Sequence, residues 1–138
     1  MNFDMKILCC MVALCVVTVH AQLAVTMSPL KIVGQKAVIE LKMKNGFSEN
    51  VESARAMCFL LDEHGKMVGQ ASRWVIGGTK DRPALEPKKD TTFNFVIATS
   101  DTTATNLMVK VSFTRMILAG GQVADPTKDV SIEQSKEK

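Results

Sequence analysis

From residue 22 to residue 132, apolar side chains recur at every second position, the spacing of strands that bury one face and expose the other. The clearest run sets Ala37, Ile39, Leu41 and Met43 against Val38, Glu40, Lys42 and Lys44, and it stops at Asn45-Gly46, a pair that tolerates the positive φ of a turn. A second run places Phe93, Phe95 and Ile97 opposite Thr92, Asn94 and Val96. A third places Leu107, Val109, Val111 and Phe113 opposite Met108, Lys110, Ser112 and Thr114.

The segment Ala54 to Leu61 is different, because both of its faces are apolar. Ala54, Ala56, Cys58 and Leu60 lie on one side and Met57, Phe59 and Leu61 on the other, which predicts a central strand. Asp62-Glu63-His64-Gly65 then makes a polar turn into a partner strand, Lys66 to Ile76, closed by Gly77-Gly78. Thr79 to Lys89, with Pro83 and Pro87, reads as the longest irregular stretch. Val25 to Val33 reads as a first edge strand broken at Ser28-Pro29, since proline cannot donate to a central ladder. Gly120-Gly121 marks a turn, and a last strand is expected within Gln122 to Ile132.

About seven short strands with turn signals between them, and no sustained helical period, predict an all-β fold: a two-sheet antiparallel immunoglobulin-like sandwich. The term describes architecture. The chain has no tyrosine for a tyrosine corner, and no pair of core cysteines in its strands. A small closed barrel is the competing architecture.

The run Cys58-Phe59-Leu60-Leu61-Asp62, the turn Gly65-Lys66-Met67-Val68 and the later Leu85-Glu86-Pro87 before Phe93-Asn94-Phe95 resemble the FxLYD family of extracytoplasmic domains. Cys58 and Leu61 stand where that family has Phe and Tyr. The resemblance spans roughly residues 45–97 and implies a sandwich at a cell surface or in a periplasm. It carries over no catalytic residue.

Residues 1–21 change the picture of compartment. Lys6 supplies a positive charge, Ile7 to Val19 forms an apolar run of about thirteen residues, and Val19-His20-Ala21 suits a cleavage site, the pattern of a secretory signal peptide. An uncleaved anchor helix is the alternative. The mature domain is expected over residues 22–132, with a charged, disordered tail at 133–138 and a secreted or periplasmic location. No later run approaches the roughly twenty apolar residues of a membrane span, so no stable membrane insertion is expected after signal cleavage.

The signal removes Lys6 and Asp4 together, so the net charge of +3 carries over to the mature chain. Its basic residues are scattered, and with one Trp and no Tyr there is neither a phosphate-tracking stripe nor a stacking platform. No nucleic-acid partner is expected.

Candidate chemistry is sparse. Beyond residue 21 the chain keeps one cysteine, Cys58, and one histidine, His64. Cys58 lies in register with Ala54, Ala56 and Leu60, the setting of a small buried hydrophobe, and His64 falls in the adjacent turn. A metal site needs three or four ligands, so none is expected, and no cofactor either. Asp62 and Glu63 are what a hairpin turn asks for, and Lys80-Asp81-Arg82 reads as a solvated loop tip. The chain is therefore not expected to be an enzyme. Met27, Met43, Met57, Met67, Met108 and Met116 are expected to fill the core.

One feature resists this account. A sandwich strand normally turns polar residues outward, yet Met57, Phe59 and Leu61 form an apolar outer face, for which an intramolecular cover is expected, the nearby Thr79 to Lys89 loop or the N-terminal segment, with a second protomer or a partner protein as the alternative. Trp74 is expected in the core, with a binding anchor as its alternative. Together Met57, Phe59, Leu61 and Trp74 are the candidate interaction face of a non-catalytic module that contacts a protein partner or a second copy of itself. The alternative function is carriage of a small apolar or lipid-like ligand between the sheets.

Overall fold

The structure is a computed structural model that describes residues 22–100 and 106–135. The signal-peptide expectation, and the end of the tail from residue 136, lie outside the described residues. Eight strands occur among them: β1 (Leu23–Met27), β2 (Lys31–Val33), β3 (Lys36–Asn45), β4 (Val51–Leu61), β5 (Met67–Ile76), β6 (Asp90–Ala98), β7 (Met108–Leu118) and β8 (Val130–Gln134). They form two sheets, as the alternation requires. In the first, β3 pairs with β6 on one side and with β1 and β2 on the other, and β8 flanks β1; the second runs β5-β4-β7.

The core is one cluster between the sheets. Leu23, Val25, Ala37, Ile39, Leu41, Met43, Phe95 and Ile97 enter from the first sheet, and Ala54, Ala56, Cys58, Leu60, Phe113 and Met116 from the second. These are the apolar halves of the predicted alternations.

Three expectations shift. Val25 to Val33 is two strands rather than one edge strand. Pro29 falls between them, so β1 keeps its donors and lies inside the sheet, antiparallel to β3 and parallel to β8. That parallel pair is the single exception to antiparallel pairing among the described strands. The charged end continues the strand through Glu133 and Gln134, because backbone pairing to β1 needs no apolar side chain there, and the Ser135 N–H donates to the Met27 carbonyl at 2.7 Å.

Asn45-Gly46 has neither residue at positive φ. Asn45 is the one buried polar residue among those described. Its amide donates to the carbonyls of Glu49 and Leu85, each at 2.9 Å, and its Oδ1 accepts the Phe47 N–H at 2.8 Å. Gly46 is required for a different reason: a Cβ there would come within 2.5 Å of the Gln22 carbonyl oxygen.

Candidate interaction face

β4 is the middle strand of its sheet, so its alternate residues present the centre of two faces. The inner one is fully buried at Ala54, Ala56, Cys58 and Leu60. Cys58 sits opposite Ala71 and Val111, and burial pushes its thiol up to about 12. A thiol held protonated in this way is a packing group and not a nucleophile.

The outer face carries Arg55, Met57, Phe59 and Leu61. Registers with the flanking strands set up four rows: Arg55 between Trp74 and Arg115, Met57 between Ser72 and Ser112, Phe59 between Gln70 and Lys110, and Leu61 between Met67 and Met108. Directly opposed residues share a face, so a central apolar column is bordered by polar and basic side chains and ends in two methionines. Met67 and Met108, expected in the core, are 49% and 64% exposed. Met57, Phe59 and Leu61 are themselves partly exposed.

Met57, Phe59 and Leu61 are not part of the core cluster, and the described strands and loops leave them partly exposed. The loop from Thr79 to Lys89, one of the expected covers, packs elsewhere. Leu85 exchanges backbone hydrogen bonds with Val51 at 2.9 Å, the Gly77 N–H donates to the Pro83 carbonyl at 3.3 Å, and Lys88 and Lys89 bond to the backbone of Asn45. The loop thereby closes the end of the sandwich where β4 begins. It borders a half-open cleft of about 350 Å³ lined by Val75, Ile76, Pro83 and Leu85, with Arg82 and Asp90 among its polar residues. Arg82 stacks over Phe93 at 4.7 Å.

Trp74 is on the outer face, not in the core. A β-bulge shifts the pairing so that Ala54 opposes Ile76 and Arg55 opposes Trp74. Val75 and Ile76 are both buried, and the tryptophan turns outward. The Arg55 guanidinium stands 5.6 Å from the Trp74 ring centroid, and its Nε donates to Ser72 Oγ at 3.0 Å. Alternation alone cannot reveal a bulge, and β4 meets three more register shifts: one further along β5, between Leu60 and Leu61, and two against β7, one of them where Arg55 opposes Arg115 and Ala56 opposes Phe113.

The two outer faces of the sandwich differ. The first sheet presents Thr26, Glu40, Lys42, Lys44, Thr92 and Asn94 to solvent, a mostly polar surface interrupted by the opposed pair Val38 and Val96, of which Val96 is 47% exposed. The second sheet carries the longer apolar row, three residues of β4 flanked at one end by Met67 and Met108, against a single valine pair on the first.

The polar candidates take the roles their local chemistry suggests. Asp62 Oδ1 accepts the N–H groups of His64 and Lys66 at 2.9 and 2.8 Å, which builds the hairpin turn. His64 is exposed, 3.5 Å from Glu63. No group of three or more His, Cys, Asp or Glu side chains placed to hold a metal ion occurs among the described residues, and no helix there is long and apolar enough to cross a membrane.

No protein-family profile matches the chain, and no curated protein matches it. Solved structures similar to this chain include two of very different length. One is a β-glucuronidase from glycoside hydrolase family 2, at 15% identity and a TM-score of 0.40; the match covers 75% of this chain and 10% of that one. The other is IrmA from Escherichia coli, at 10% identity and a TM-score of 0.44, covering 85% of this chain and 97% of that one. The chain thus spans a tenth of the glucuronidase and nearly all of IrmA.

Proposed function

We propose that the protein is a non-catalytic, extracytoplasmic sandwich module that works through protein contacts made by Met57, Phe59, Leu61 and Trp74. The observation that carries this reading is the partly exposed apolar column on the outer face of β4, set against the mostly polar outer face of the first sheet. Apolar area removed from water contributes about 25 cal/mol per Å², and three partly exposed side chains in a row, extended by Met67 and Met108, are suited to bury it against a partner. Trp74, held in place at the margin, has the residue type that dominates contact energetics. Phe59→Asp tests the reading. The variant is expected to fold, because the side chain already meets solvent, and to lose association with its partner or with itself. A folded variant whose association state and partner recovery match the unsubstituted protein removes the role of this face.

A second reading rests on the cleft beside Pro83. Its volume lies at the lower end of the roughly 300 to 1,000 Å³ of small-molecule sites, and Val75, Ile76 and Leu85 give it an apolar floor. It would take a small apolar ligand at the margin of the sandwich, not between the sheets, where side chains fill the space. Native mass spectrometry of protein purified from the cells that make it tests this: a bound mass supports carriage, and its absence counts against it.

A further inference from the structure

The outer face of the β5-β4-β7 sheet carries a charge arrangement with no ion-pair partner among the described residues. Arg55 and Arg115 are directly opposed on β4 and β7. Both are exposed, and neither forms an ion pair among the described residues. Like charges opposite one another on neighbouring strands repel. In all three strands the basic residues are Arg55, Arg73, Lys110 and Arg115, and Glu52 is the one acid.

Arg55 is nevertheless held in position. Its Nε bonds to Ser72 and its guanidinium carbon stands over the Trp74 ring. Trp74 in turn lies against Gly78, where an added Cβ would meet the ring at 2.4 Å. A guanidinium fixed through Nε keeps its terminal NH₂ groups free for an acceptor, and its planar fork matches a carboxylate. Beside it, Met57, Gln70, Ala71, Ser72 and Arg73 line a groove along edge strand β5.

We infer that this face docks an acidic, extended segment of a partner protein, in which one carboxylate bridges Arg55 and Arg115 and an adjacent apolar side chain lies against Met57 and Phe59. The inference rests on the contact reading above and adds the chemistry of the partner. Three strands about 4.8 Å apart and some eight residues long at about 3.4 Å each make a face of roughly 400 Å². That is half of the roughly 800 Å² each partner gives to a standard interface between globular proteins, and it is the scale of a peptide strand. A second copy would bring the same basic row instead of a counter-charge. A nucleic-acid backbone would supply anions without the apolar side chains that the column between them calls for.

Trp74 is the only tryptophan of the chain, so its emission reports on the site. The probe is a capped hexapeptide alternating Glu and Leu, titrated beside its Gln/Leu counterpart and vesicles of phosphatidylglycerol. The expected result is a saturable emission change with the Glu peptide, at least tenfold weaker with the Gln peptide, and weakened at least tenfold by Arg115→Gln, a variant that leaves the support of Trp74 in place. Equal affinity for the two peptides, no response to either, indifference to Arg115→Gln, or tighter engagement of the vesicles overturns the inference. Phe59→Asp separates the two claims. If it abolishes partner association while Arg115→Gln has no effect, the contact face stands and the carboxylate site falls; if neither substitution matters, both fall.

Discussion

The Arg55 guanidinium stands 5.6 Å from the Trp74 ring centroid, across a β-bulge that turns the tryptophan out of the core. Contacts of this kind at exposed sites are worth about 0.5–1 kcal/mol, a small contribution to stability but enough to fix which way two large side chains point. Gly78 completes the arrangement with φ of 78° and the Trp74 ring where its side chain would be. Gly78→Ala is therefore expected to cost about 2–3 kcal/mol and to shift the Trp74 emission. Gly65 also has positive φ, 79°, but nothing within 4 Å, so Gly65→Ala should cost only the left-handed backbone penalty, about 1–2 kcal/mol, with unchanged emission. Urea titrations followed by fluorescence read both quantities, and an unshifted Gly78→Ala spectrum would refute the seat assigned to Trp74.

Asn45 joins the end of β3 to two loops through three hydrogen bonds. Removing its amide leaves the buried Leu85 carbonyl, the Glu49 carbonyl and the Phe47 N–H without this partner, and Asn45→Ala is expected to destabilise the fold by about 2–3 kcal/mol. Asn94→Ala, on the solvent face of β6, should stay within about 0.5 kcal/mol of the unsubstituted protein. Chemical denaturation of the pair checks the contrast, and equal midpoints would contradict the role of Asn45.

Cys58 should resist thiol reagents in the folded protein at pH 8 and react at once in denaturant. Its folded-state value, about 12, lies above the ordinary value of 9.0. The sign follows from proton binding: between these two values the unfolded chain releases the thiol proton while the folded chain retains it. The contribution of Cys58 to stability is therefore whole below about pH 9 and is lost as the pH rises toward 12. Reductant should leave the solution mass of the protein unchanged. A mass that falls on reduction would mean that Cys58 is accessible and bonded to another chain.

Asp125 organises the turn that leads to β8. Its Oδ1 accepts the Thr127 hydroxyl at 2.6 Å and the Thr127 N–H at 2.9 Å, and these bonds lower its carboxyl below the ordinary 3.8. The stabilisation is present above that ordinary value and is lost as the pH falls through the lower folded-state value. Acidification below pH 4 is expected to raise amide exchange first at Thr127 and Lys128. Asp125→Asn, which keeps an acceptor but not the charge, should flatten that pH response.

The strands were legible because their alternation is strict. Ala37 to Met43 and Phe93 to Ile97 bury the side chains that the pattern assigns to the core, and Ala54 to Leu61 is central because neither of its faces is polar. What the pattern hid were departures from a period of two. Extra residues at Val68, Val75 and Thr114 reverse which neighbours face inward, so Trp74 looked like core and Arg55 had no visible company. The place of the Thr79 to Lys89 loop was equally hidden, since its anchors are backbone bonds to Val51, Asn45 and Gly77 that no side-chain pattern encodes. Met67 and Met108 were misread for a related reason: methionine suits a core and an exposed contact surface alike.

The apolar column is the centre of the account, and photo-crosslinking in the cells that produce the protein tests it most directly. With p-benzoylphenylalanine in place of Phe59, irradiation should give discrete adducts of higher mass, and the same group in place of Asn94, on the mostly polar outer face of the first sheet, should give none. Folded protein with no adduct from position 59, or with the same adducts from position 94, would contradict the assignment of this face as the contact surface.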